Sequence, residues 1–259
     1  MEVIILKNEE EIGAVAADAF ENLLKEKPGA VLGVATGSSP LPIYNELAKR
    51  SGKSIDFSKA KAFSLDEYVG LPAGHPESYA EVVRKEFTER TNINPKNVRT
   101  PDGQAKDIQK AVEEYDAAIQ EAGGVDIQIL GIGTDGHIGF NEPGSSLASR
   151  TRLKSLTKQT REDNARFFDS IDDVPHHVMT QGIGTIMEAK HILIVIMGEN
   201  KAQAVHDFVE GPISASCPAT ILQMHPHVTV LLDEAAASKL ELADYYTQTY
   251  ENKPEWQGL

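Results

Sequence analysis

Apolar positions along the chain fall into two alternating patterns. Short runs that are apolar at nearly every position, AVLGV (30–34), KAFSL (61–65), VDIQILGI (125–132), HILIVIMG (191–198) and HVTVLLD (227–233), are separated by longer stretches with helical spacing. Ile12, Val15, Ala16, Ala19, Leu23 and Leu24 recur at three- and four-residue intervals, which predicts a helix over about 9–26 with Asn8 as its cap and Glu11 as the capping partner. After the run at 30–34, the loop ATGSS leads to Pro40, a residue suited to the first helical position. The order recurs: 61–65 precedes a loop and a helix over 78–89, 191–198 runs into ENKAQAVHDFV, and 227–233 into a last helix. The opening MEVIIL reads as a first strand, since it lacks the basic start of a signal peptide.

Strands without a polar face, alternating with helices, require a parallel sheet covered on both sides. The expected fold is therefore α/β: a single doubly wound, mostly parallel sheet with helices on both faces, of modified Rossmann-like type. Residues 1–244 are assigned to one catalytic domain and 245–259 (YYTQTYENKPEWQGL) to a polar, aromatic tail. In such sheets ligands bind beyond the carboxyl ends of the strands, where helices begin and backbone N–H groups point outward.

Charge narrows the partners. With 39 acidic against 25 basic residues the formal charge is −14, which argues against nucleic acid, so any anionic substrate must be held by a few placed cations and amides. Cys217, the single cysteine, permits no intramolecular disulfide and fits a reducing cytoplasm; before Pro218 it reads as a small buried apolar residue. No segment approaches the length of a membrane span.

The stretch ILGIGTDGHIGFNEPG (129–144) contains a literal G-x-G-x-x-G in Gly131, Gly133 and Gly136. A dinucleotide fingerprint also needs a helix opening at the third glycine and an acid about 20 residues on. Gly139, Asn141, Pro143 and Gly144 forbid the helix, and LKSLTKQ around Ser155 supplies no acid. The glycines are better read as making a loop that displays Asp135, His137 and Glu142, a set suited to a carboxylate-oriented imidazole that moves protons. A solvated loop held by local hydrogen bonds would use the same residues, and Asp135 with His137 would also suit a divalent metal. In FSLDEYVGLP (63–72), Asp66 and Glu67 close another strand, as a proton-transfer carboxylate or as helix-capping acids. ATGSSP (35–40) has the make-up of an anion cradle at a helix N-terminus and lacks the Gly-Lys-Ser/Thr ending of a nucleotide loop, which favours a phosphomonoester; Ser39 acting only as an N-cap is the plain alternative. Lys201, in a first helical turn, and Arg166, on a short helix that Thr160 and Asp163 can cap, are candidate phosphate partners. His176, His177, His225 and His227 read as surface or packing residues.

Together ATGSSP, FSLDEYVGLPAGHPESY, GIGTDGHIGFNEPGSSLASRTR, TREDNARFF and GENKA resemble the glucosamine-6-phosphate deaminase family, in its order from about residue 31 to 205. The resemblance implies conversion of glucosamine 6-phosphate and water to fructose 6-phosphate and ammonia, with no metal and no organic cofactor. It implies that His137, oriented by Asp135 and Glu142, assists ring opening and that Asp66 carries the C2 proton to C1. The phosphate would lie on Gly37, Ser38 and Ser39 with Arg166 and Lys201. In some members SSLASRTR and the following lysine form an allosteric site for N-acetylglucosamine 6-phosphate between subunits of a hexamer. Ser145, Ser146, Arg152 and Lys154 match it, so a homo-oligomer is among the expectations. Shorter members are not regulated this way, and a solvated basic pair is the alternative for Arg152 and Lys154. A 6-phosphogluconolactonase-like hydrolase and a non-catalytic sugar-phosphate sensor are the rival functions.

Overall fold

The apolar runs become strands that are buried from end to end. A computed structural model describes the backbone of residues 1–259 and every side chain except those of Asp163 and Glu255. In chain order the regular elements are β1 (Glu2–Leu6), α1 (Glu9–Glu26), β2 (Val31–Val34), α2 (Leu41–Arg50), β3 (Lys61–Ser64), β4 (Asp66–Tyr68), α3 (Tyr79–Val83), β5 (Val98–Arg99) and α4 (Ile108–Glu121). There follow β6 (Ile127–Leu130), β7 (Arg152–Ser155), α5 (Lys158–Asn164), β8 (His177–Thr180), α6 (Ile183–Ile186), β9 (His191–Ile196), α7 (Ala202–Val209), β10 (Val228–Asp233) and α8 (Ala243–Glu251). Every residue of β2, β6 and β9 is buried, as a sheet covered on both faces demands.

Seven strands form one sheet in the order β1-β10-β9-β6-β2-β3-β5, and every pairing in it is parallel. The chain winds outward from β2 to β3 and, in the other direction, from β6 to β9. The strand order therefore reverses between β2 and β6, and a crevice at their carboxyl ends is the ligand position that such a reversal creates. Local chemistry sets the helices. Asn8 Oδ1 accepts from Glu11 N at 2.9 Å, while Glu11 Oε2 accepts from Lys7 N, one residue before the position a capping box uses.

Three features depart from the sequence reading. The DEY segment is itself a strand, in a second, antiparallel sheet of order β4-β8-β7 in which Asp66, Thr180 and Arg152 form one cross-strand row. The helix expected at 78–89 is α3 continued by a π-helical turn over Arg84–Thr88. The boundary drawn at 244 falls inside α8, which packs on β1; Tyr246, Tyr250 and Leu259 rest on the core, and Lys253 Nζ meets Glu2 at 2.7 Å. Among the described residues no helix is long and apolar enough to cross a membrane.

Candidate active site

The loop after β2 is fixed from behind. The buried Tyr44 hydroxyl, on α2, donates to Ala35 O at 2.7 Å and accepts from Ala35 N at 3.0 Å, pinning the residue that opens ATGSSP. Ser39 is not the helix cap: Pro40 holds that position and makes no side-chain cap bond. The amides of Gly37, Ser38 and Ser39 donate to no described group, so the N-terminal end of this ten-residue helix presents unused N–H groups at the sheet's carboxyl edge. A methyl group built on Gly131, just past β6, would lie 2.9 Å from Ser39 Oγ, which places the β2 and β6 loops in contact at the reversal point. Lys201 precedes α7, and its Nζ donates to Ile132 O at 2.9 Å, bringing that cation to the same edge.

The glycine-rich stretch forms no helix after Gly136 and folds back on itself. The His137 ring fills the space a Cβ on Gly133 would take, 2.2 Å from two of its atoms, so this glycine is required by the imidazole. Asp135 Oδ1 lies 2.6 Å from His137 Nδ1, too oblique for a directed hydrogen bond, and Glu142 Oε2 lies at 3.5 Å. Burial disfavours the imidazolium, but the two carboxylates outweigh it and push His137 up to about 9. In return His137 holds Asp135 well below the usual carboxylate range. Thr160 Oγ1 donates to Glu142 Oε1 at 2.7 Å, a contact that sequence reasoning missed because it assigned Thr160 to helix capping. Thr157 is the cap of α5, while Asp163, the other assigned cap, lies outside the described side chains.

Asp66 reaches this loop from the small sheet. A methyl on Gly139 would stand 3.0 Å from Thr180 Oγ1 and 3.9 Å from Asp66 Oδ2. The Asp66 side chain receives no hydrogen bond from any described group. Burial, with a smaller push from the neighbouring Glu67 charge and against the pull of His137, raises Asp66 to about 8. The site thus joins a carboxyl that is easily made basic to an imidazole that is easily kept acidic, the pairing that proton relocation on one small substrate needs.

Ligand atoms of Asp135, His137 and Glu142 all lie within 4.8 Å of one another. A metal there would need the neutral imidazole's lone pair and would compete with the proton that the two carboxylates also favour. Arg166 lies past α5 in an exposed turn, its guanidinium 4.7 Å from the centre of the Phe167 ring. Ser145 is buried with an unpartnered Oγ, and Ser146 Oγ accepts from Ala148 N at 3.3 Å. Arg152 is no solvated cation: half-buried, it donates from Nη1 to Asn141 Oδ1 at 2.8 Å, and Asn141 Nδ2 donates to Ile138 O and Gln181 O, both at 2.9 Å. Lys154 is half-buried two residues along the same strand. Cys217 packs its Sγ against Gly136, with burial raising its thiol. His225 Nε2 lies 2.7 Å from Ala189 O and His227 stacks on His191 at 3.7 Å, packing roles remote from this edge.

Comparison with known proteins gives the family. Residues 8–231 match the family model for glucosamine-6-phosphate isomerases/6-phosphogluconolactonase. A curated relative from Arthrobacter sp. (strain FB24), named glucosamine-6-phosphate deaminase, is 68% identical over 260 residues, with 100% of both chains covered. A solved structure described as a monomeric glucosamine-6-phosphate deaminase aligns with a TM-score of 0.89 at 42% identity, over 92% of this chain and 99% of that one. A 6-phosphogluconolactonase from Thermotoga maritima, 21% identical, shares the fold with a TM-score of 0.72 over 90% of this chain and 98% of its own. The chain belongs to the glucosamine-6-phosphate isomerase/6-phosphogluconolactonase family.

Proposed function

We propose that this protein is a glucosamine-6-phosphate deaminase, converting glucosamine 6-phosphate and water to fructose 6-phosphate and ammonia. The observation that carries the reading is the placement of Asp66, buried and without a hydrogen-bond donor, beside the His137 loop, which follows the β6 segment that Ser39 and Lys201 each reach at Gly131 and Ile132. The name of the full-length relative at 68% identity supports it over the lactonase, whose likeness is one of fold.

The phosphate sits on the Gly37, Ser38 and Ser39 amides with Lys201 as its cation, and Arg166 joins by turning from Phe167. His137, held as imidazolium by Asp135 and Glu142, donates a proton to the ring oxygen and takes the hemiacetal hydroxyl's proton in return, giving the open-chain aldehyde. Asp66 removes the C2 proton while the substrate's ammonium gives one to the C1 oxygen, forming an enolamine; Asp66 then returns its proton to C1, which leaves a protonated imine at C2. Water adds to that carbon and the C–N bond breaks, releasing ammonia. The substrate's ammonium, arriving near Asp66, favours the charged carboxylate at the moment a base is needed. The setting is proposed to be the cytoplasm, where the substrate is a free sugar phosphate.

The test is direct. Purified protein with glucosamine 6-phosphate, without added metal, is expected to release ammonia and fructose 6-phosphate in equal amounts. No turnover at high enzyme concentration refutes the reading.

A further inference from the structure

Asp66 and Glu67 are adjacent on β4 and equally buried, at 5% exposure each, yet the fold treats them in opposite ways. Successive strand residues face opposite sides, so the two carboxyls look into different surroundings. Glu67 Oε1 accepts from Tyr68 N at 2.8 Å and Tyr79 N at 2.9 Å, and Oε2 accepts from Ala80 N at 2.8 Å. Tyr79 and Ala80 are the first two residues of α3, so Glu67 ties β4 to a helix start. Both of its oxygens act as acceptors, the pattern of a carboxylate rather than an acid. Asp66 has no such donors.

We propose that Glu67 is a positioning residue for the deamination: it anchors β4 to α3 and, by holding a fixed negative charge beside Asp66, makes Asp66 a stronger base. This rests on the reading of Asp66 as the group that moves the C2 proton. Burial raises Glu67 while its three amide bonds oppose the rise; burial also raises Asp66, and there the Glu67 charge adds to it. The other groups around Asp66 do not supply that push. His137, from the β6 loop, acts in the opposite direction. The Tyr68, Tyr79 and Tyr115 hydroxyls, from β4, α3 and α4, are kept neutral by burial, and Arg152, in the same cross-strand row, is a cation.

The experiment compares pH profiles of kcat/KM for glucosamine 6-phosphate in the wild type, Glu67→Gln and Glu67→Asp, each scaled to its own optimum. Removing the charge is expected to move the acid limb of Glu67→Gln from about 8 to about 7, on the order of one pH unit, so that relative kcat/KM at pH 7 rises about four-fold. Glu67→Asp keeps the charge and is expected to leave the limb in place even if kcat falls. A Glu67→Gln enzyme that loses kcat with its acid limb unmoved overturns the electrostatic role and leaves only a helix tie. Carbon-13 NMR titration of the wild-type carboxyls, with Asp66 assigned by Asp66→Asn, needs no Glu67 variant to fold: Asp66 must titrate well above Glu67, and the reverse order also overturns the inference. A wild type that forms no ammonia would instead refute the function, a distinct result.

Discussion

Substitution of Asp135 by asparagine tests how the site holds its acid. The mechanism needs ionised Asp66 and protonated His137 in the same molecule. With the two groups at about 8 and about 9, that form peaks near pH 8.5, where each condition is met about three quarters of the time and both together about 0.6 of the time. Asp135→Asn removes the carboxylate 2.6 Å from Nδ1, leaving Glu142 at 3.5 Å to oppose burial. His137 is then expected to fall from about 9 to near its ordinary 6.5. The order of the two groups inverts, the peak moves to about pH 7.3, and both conditions hold together only about 0.02 of the time, a loss of about 25-fold in kcat/KM at the optimum. The sign follows from His137: its raised proton affinity sustains activity at neutral pH, and that activity disappears as pH rises through its titration. Two measurements check this, the kcat/KM profile by coupled ammonia assay and the His137 titration by NMR of the ligand-free protein. A variant whose His137 titrates within half a unit of the wild type, or whose optimum stays near pH 8.5, would falsify the role given to Asp135.

Two further substitutions probe the remaining parts. Asp66→Asn is expected to lower kcat by about 10²–10⁴-fold and to abolish exchange of the C2 proton with deuterated solvent, while substrate still raises the melting temperature. Hydrolysis of 6-phosphogluconolactone at undiminished rate by that variant would instead favour the lactonase. Tyr44→Phe leaves the buried Ala35 N–H and C=O without their partner, which should cost about 2–3 kcal/mol by urea unfolding and raise KM more than it lowers kcat, because the loosened loop carries the phosphate amides. A stability loss with KM unchanged counts against the assigned cradle.

How much of this was legible depended on whether a residue's neighbours lie along the chain or across it. The parallel core shows itself because strands covered on both faces cannot afford polar positions, and the runs at 30–34, 125–132 and 191–198 carry none that face water. The small sheet is silent for the opposite reason. β4 has three residues, β7 reads RLKS with alternating exposure, β8 begins at the exposed His177, and no hairpin turn announces their antiparallel pairing. Asp66, His137 and Lys201 could be picked out because each stands at the carboxyl end of a long apolar run. Thr160 and Tyr44 could not, since a hydroxyl's partner is set by loop paths, and Arg166 keeps company with Phe167 for reasons that spacing does not carry.

The glycine pattern shows why motif and mechanism must be separated. G-x-G-x-x-G matches the dinucleotide fingerprint letter for letter, but in that fingerprint the missing side chains make room for a pyrophosphate. Here they make room for the protein itself: the gap at Gly131 is filled by Ser39 and the gap at Gly133 by the His137 ring. An alanine at 133 would collide with the imidazole that the loop exists to present, whereas in a nucleotide site it would collide with the ligand. The same letters thus yield opposite expectations for Gly133→Ala. A nucleotide binder would stay folded and lose affinity, while this chain must displace His137 and lose the coupling to Asp135 and Glu142 even when no ligand is present.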